Sequence, residues 1–457
     1  MRSARVAAVN GLLLSALLSW APTPAAAAAT LRQAVDAALA RSPSLAQARA
    51  RRDEAQAALG QARLASLPRL TARAAATRGD DPVYAFGSLL EQKRFGPRNF
   101  DIGALNDPGY LTNVKTGFEL GVPLFTAFAL RDGRELGRLQ VQAASAGEEG
   151  AAQAASERTA ESYLRTLLGA ALVAEADQRI ASASGELEEA RRLRARGLVL
   201  GSDFYAAEAA LGALEATRVE AAGELAAARA ALAAQTGWPA ATVASGSLED
   251  VSYSTAAARA DAGSPLAARP DLEAAAAAES SAAVLARRER SSALPTVSAF
   301  ASVETNTSDF GSNPSNRMIG VRAELPLGDA TYFERSKRAE AARRAAAAGR
   351  EAAAESASIE TGQALADYEA AQAAVPLLRD SAEKARRSLE LFVPLYREGR
   401  QSILDVLRAE DALLRARAGY LRALFSAHLA FLRLRLAQGR LDAAAVDEVD
   451  RRLGGAR

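Results

Sequence analysis

Four short segments of this chain alternate between mainly apolar and mainly polar positions. In one, Val114, Thr116, Phe118, Leu120 and Val122 fall on one face, with Lys115, Gly117, Glu119 and Gly121 on the other. In another, Val297, Ala299, Ala301 and Val303 oppose Thr296, Ser298, Phe300, Ser302 and Glu304. Next, Ile319, Val321, Ala323 and Leu325 oppose Met318, Gly320, Arg322 and Glu324. A weaker case sets Leu70, Ala72, Ala74 and Ala76 against Arg69, Thr71, Arg73 and Thr77. A period of two predicts strands. Segments of about ten residues, apolar outside and polar inside, characterise membrane-spanning barrels, although a half-buried soluble sheet alternates in the same way. Four strands cannot close a barrel, and lipid does not tolerate open sheet edges. A barrel built from these segments therefore requires several chains.

Between the strands lie long stretches of Ala, Leu, Glu, Arg and Gln, all strong helix formers. Residues 127–196 contain no proline and predict a rod of roughly 105 Å at 1.5 Å per residue. The matching stretch, 330–398, contains Pro376 and Pro394, each expected to interrupt or kink it. Gly197 and Gly399 end the rods as C-cap residues do, and return helices follow over 202–235 and 402–438. Each is half a rod long. Helices over 270–292 and 31–66 supply the missing halves. Two unbroken rods thus pair with two composite legs, and the chain termini meet near mid-length.

The plan is duplicated. Pro43, Leu45, Pro68 and Leu70 return 227 positions later as Pro270, Leu272, Pro295 and Val297. Gly197, Asp203, Glu208, Leu211 and Gly237 return at a constant offset of 202 as Gly399, Asp405, Glu410, Leu413 and Gly439. The spacing is far too long for a solenoid. The expected organisation is a first repeat over 30–240 with its hairpin at 69–125, and a Ser/Ala/Gly-rich linker over 241–268. A second repeat over 269–440 has its hairpin at 296–327, and a tail covers 441–457.

Residues 1–29 read as a secretory signal peptide: Arg2 and Arg5, an apolar run from Val6 to Trp20, then Ala27, Ala28 and Ala29. The chain has no cysteine, so it carries no disulfide, no thiolate and no lipoprotein attachment point. With 56 basic and 54 acidic residues, the near-neutral balance argues against a nucleic-acid binder. Enzymatic and metal chemistry find no support. His428 is the only histidine and sits in a helix beside Phe425, Leu429 and Phe431. No Cys/His cluster or phosphate-cradling glycine loop is present, and nothing calls for a cofactor. The two hairpins differ: the first carries an extra stretch within 79–113, rich in Phe, Pro and Gly, that is long for an ordinary loop.

The duplicated plan resembles the TolC-type outer-membrane efflux proteins. So do Val-Pro-Leu-Phe at 122–125, Gln-Thr-Gly-Trp at 235–238 and the run from Tyr396 to Glu410. The resemblance covers 30–457. It implies a mainly α fold with a small β part: long antiparallel helices forming an α-barrel tunnel, and four strands per chain contributing to a trimeric twelve-stranded transmembrane barrel. It also implies a passive exit duct in the Gram-negative outer membrane, extending into the periplasm. Such a duct serves tripartite efflux or type I secretion, with a periplasmic adaptor, an inner-membrane pump and outer-membrane lipid as partners. The alternative is a secreted coiled-coil rod without a pore, which does not need the strands.

In that family the periplasmic end is closed by Tyr, Arg and two Asp around the tip turn. The aligned positions are Tyr396, Gln401, Asp405 and Arg408. Gln401 replaces the Arg and Arg408 the second Asp. Asp405 either forms an anionic ring around the pore or caps the return helix. The tip turns expected to meet an adaptor contain Gly197, Val199, Ser202, Asp203, Gly399 and Ser402. The cargo is not readable from the sequence.

Overall fold

The computed structural model describes residues 29–242, 244–254, 269–309 and 315–454. Apart from Ala29, the expected signal peptide lies outside the described residues.

Two helices dominate, as the proline-poor stretches predict: α5 (Ala129–Ala195, 67 residues) and α8 (Tyr332–Arg397, 66 residues), each roughly 100 Å long. Each folds back into a half-length partner, α6 (Gly201–Thr236) or α9 (Ile403–Ala437). The remaining half-lengths come from α2 (Pro43–Leu64) and α7 (Pro270–Ser291). Helix α2 lies along α5, and α7 bridges α5 and α8.

The helix expected over 31–66 is two helices. Its first turns form α1 (Leu31–Arg41), and Ser42 then leaves helical geometry at ψ 116°. Pro43 disfavours the α conformation in the residue before it and suits the first helical turn. Ser42 Oγ accepts the Leu45 N–H and caps α2.

In contrast, α8 continues through Pro376 and Pro394, where an interruption was expected. Its buried residues Thr361, Tyr368, Val375, Ala382, Leu389 and Tyr396 recur every seven positions. A seven-residue seam is the repeat of supercoiled helices. Packing of this seam against α9 along its length holds the helix across two missing donors.

The four segments of alternating residues are strands: β1 (Arg69–Gly79), β2 (Leu111–Thr126), β3 (Thr296–Thr307) and β4 (Ser315–Glu324). They form one antiparallel sheet in the order β1-β2-β3-β4. The register places Leu70 opposite Leu120, Ala72 opposite Phe118, Phe118 opposite Val303, and Ala301 opposite Ile319. The apolar residues therefore share a face, on which Ile319 is 85% exposed and Phe118 59% exposed. The other face is polar and carries ion pairs between neighbouring strands, Arg73–Glu119 at 3.1 Å and Lys115–Glu304 at 2.7 Å. Among the described residues, strands β1 and β4 have no partner on their outer edges.

Three segments are more ordered than the sequence pattern predicts. The insert in the first hairpin contains α3 (Pro82–Glu91), a 3-10 turn (Pro97–Phe100) and α4 (Ile102–Asn106). Edge-to-face contacts of Phe95 with Phe86 and Phe100 tie it together. In the expected linker, Leu248, Val251 and Tyr253 are core residues; 255–268 lie outside the described residues. The expected tail forms α10 (Ala443–Arg452), capped by Asp442, with Val446, Val449 and Leu453 buried. The ends of the described chain do meet near mid-length. The Leu31 N–H donates to Asp450 at 2.8 Å, and Tyr163, midway along α5, donates to the Ala29 carbonyl at 2.9 Å.

Candidate functional site

The ends of the helical hairpins are built differently. Both turns pass through a glycine in the left-handed region, Gly197 (φ 75°) and Gly399 (φ 74°), where a side chain would be strained. At the second turn Ser402 is the N-cap of α9. Its Oγ accepts the Leu404 N–H at 3.0 Å, and the Asp405 carboxylate accepts the Ser402 N–H at 3.4 Å. This reciprocal pair is a capping box. At the first turn Leu200 occupies the N-cap position and offers no capping side chain. Ser202 instead donates to the Asp203 carboxylate.

The expected gate residues occupy two environments. Gln401 and Arg408 are exposed and Asp405 is half-buried. Arg408 lies one helical turn from Asp405, with a 3.8 Å approach between their charges. Tyr396 is inside the tip core with Leu389, Ile403 and Val406. Among the described residues its hydroxyl has no hydrogen-bond partner, and burial raises its pKa, helped by Glu186 and Glu189. Val199 packs partly against the same core, while Leu198 and Leu200 flank it at 71% and 69% exposure. Arg194 stacks over Phe204 and Tyr205 at 4.8 and 4.7 Å, so the first tip is apolar and cationic.

Two buried polar groups behind the tips escape sequence reading. Glu410 is fully buried, hydrogen-bonded by Ser182 and paired with Arg179 at 3.3 Å. Desolvation raises its pKa, against the opposing pull of Ser182 and Arg179. Its recurrence as the partner of Glu208 was the only available signal. His428 is also fully buried. Its Nε2 lies 3.0 Å from the Leu248 carbonyl, which can only accept, so Nε2 carries the hydrogen and Nδ1 accepts from the Tyr253 hydroxyl at 2.6 Å. Both ring nitrogens are used structurally, in keeping with a packed residue. The other partners lie in the linker, which carried no strand or helix signal.

No helix among the described residues is long and apolar enough to cross a membrane. The sheet has the membrane-facing pattern instead. An apolar outward face, an ion-paired inward face and helices running from one end of the strands define a wall segment of a transmembrane pore extended by a helical tunnel. The chain belongs to the outer membrane efflux protein family, whose sequence model matches residues 34–238 and 263–440. It is an outer-membrane efflux channel that extends into the periplasm.

Solved structures with the same fold include three channels. CusC has a TM-score of 0.77 at 18% identity, covering 90% of this chain and 92% of that one. The VceC outer membrane protein of Vibrio cholerae has a TM-score of 0.76 at 22% identity, covering 90% and 96%. The MtrE outer membrane channel of Neisseria gonorrhoeae has a TM-score of 0.74 at 20% identity, covering 91% and 90%. No curated protein matches the chain in sequence. The strands and the family together exclude the pore-free rod.

Proposed function

We propose that three copies of this chain close a twelve-stranded barrel and serve as the passive exit duct of a tripartite machine. A periplasmic adaptor and an inner-membrane pump would complete it. The observation that carries this reading is the sheet with an apolar exposed face and two open edges, β1 and β4. Open edges are not tolerated in lipid, so the edges must pair with neighbouring copies. The mass of the purified protein in detergent tests the stoichiometry, and a monomer or dimer would refute it. As a member of a channel family, the chain would act as a duct, with the energy supplied by the pump.

The tips are the proposed adaptor contact, through Gly197, Val199, Ser202, Asp203, Gly399 and Ser402. Crosslinkers placed at Val199 or Ser402 should capture the adaptor, and failure at every tip position would refute the assignment. Tyr396, Gln401, Asp405 and Arg408 are the proposed constriction, with Tyr396 acting from inside the tip core. If Asp405 faces the pore, Arg408→Ala should uncover its charge and increase cation selectivity and block by multivalent cations. Asp405→Ala should do the opposite. Both effects should fade in salt, as screening lengths fall from about 10 Å at 0.1 M to about 3 Å at 1 M. Unchanged selectivity in both variants, with lower thermal stability in Asp405→Ala, would leave Asp405 as a cap alone.

A further inference from the structure

The insert in the first hairpin folds onto the polar face of the sheet. At the C-terminal end of α3, the Gln92 side chain is buried and donates to the Thr112 carbonyl at 2.9 Å, to Asn113 Oδ1 at 3.0 Å and to the Thr307 carbonyl at 3.4 Å. Asn113 in turn donates to Asn306 Oδ1 at 3.0 Å. Asn306 is opposite Lys115 in the register, and Asn113 shares the parity of Lys115 along β2. Both asparagines therefore point to the face that carries the Lys115–Glu304 ion pair. On β4, Asn316, opposite Glu304, donates to the Glu91 carbonyl. The end of α3 is thus held by side chains of β2 and β4 on the polar side and by a backbone carbonyl of β3.

The attachment lies at a defined end of the pore. Residues 111–113, 306–307 and 316 sit at the strand ends farthest from α2, α5, α7 and α8. The helices run into the periplasm, so this is the outer mouth. A buried amide with this many partners is a strong local constraint, because breaking it leaves desolvated polar groups. The insert is also dispensable to the hairpin. Gly79 pairs with Leu111, so a short turn could close β1 onto β2.

We infer that the insert is a lid folded into the outer mouth of the channel, latched by Gln92 to Asn113 and the Thr307 carbonyl, which limits the size of solute passing between barrel and exterior. The inference rests on the polar face lining the pore of the closed barrel. The chain lacks cysteine, so one introduced thiol is a unique reporter. Ser302 lies on the polar face between Glu119 and Met318, deeper than the latch.

In intact cells, Ser302→Cys should react with a small charged maleimide added outside, and slowly with a polyethylene-glycol maleimide. Replacing 82–108 by a short Gly/Ser turn should speed the large reagent about tenfold, the change expected when a closed state favoured about tenfold is removed. The single substitution Gln92→Leu should act in the same direction, which guards against misfolding of the deletion. The small reagent should be unaffected by either change. Equal large-reagent rates in all three backgrounds would overturn the lid. No reaction with the small reagent in any background would overturn the pore-lining assignment, and the lid with it.

Discussion

Acidification should loosen the middle of the helical region through His428. Burial holds this imidazole at a pKa of about 4, against an ordinary value of 6.5; the Leu248 carbonyl and Asp250 oppose the shift, and Arg452 adds to it. Arg452 also stacks over the Tyr253 ring at 4.4 Å, and Tyr253 stacks on Phe431 at 4.2 Å. Protonation would therefore place a cation inside a closed aromatic packet whose hydroxyl already donates to the ring. Because the folded pKa is below the unfolded one, the contribution is complete above about pH 6.5 and is lost as pH falls toward 4. The difference corresponds to roughly 3 kcal/mol, of which about 2 kcal/mol is gone by pH 4.5.

Carboxylates such as Asp250, whose pKa is lowered by hydrogen bonds from Ser252, also lose stabilisation in acid, so the comparison must be with a variant. His428→Gln keeps a donor and an acceptor but does not titrate. Trp238 packs on this core and is the only tryptophan outside the expected leader, so its fluorescence reports urea unfolding. Between pH 7 and 4.5 the wild type should lose about 2 kcal/mol more than His428→Gln. Equal losses would refute the account, as would a larger loss in the variant.

Gly169 faces Leu225 so closely that an added Cβ would lie 3.0 Å from the Leu225 backbone. Gly169→Val should therefore push α5 and α6 apart and cost about 1–3 kcal/mol, read as a lower unfolding midpoint, whereas Gly212→Ala, in open space, should not. Glu410 has a raised pKa, so its favourable protonated state exists below its unfolded value and is lost as pH rises through the folded one. Glu410→Gln should abolish that decline, which sets in above the ordinary carboxylate pKa, measured as the slope of stability against pH; an unchanged slope would refute the burial argument. Asp405→Ala should lose about 1 kcal/mol through the capping box, while Asp203→Ala, at a turn without one, should lose less in the same thermal melts.

Much of the architecture was determined by residue order alone. Strand alternation needs only a period of two, and Phe118, Leu120, Ile319 and Val321 announce the lipid-facing side before any contact is known. The rods follow from proline-free stretches of helix formers, and the tip turns from Gly197 and Gly399. The helical seams were less legible. Ala146, Ala160, Ala183 and Ala382 are buried, but alanine occupies every face of these helices, so heptad spacing does not stand out. Other features were decided only by tertiary packing. Tyr396, beside the tip turn in sequence, turns into the core because Leu389, Ile403 and Val406 surround it. The linker and tail became core because Tyr253 and Val449 meet α9 and α1 across long sequence separations. The same holds for Gln92: nothing near it in sequence marks it, since its partners Asn113 and Thr307 belong to strands that come together only when the sheet forms.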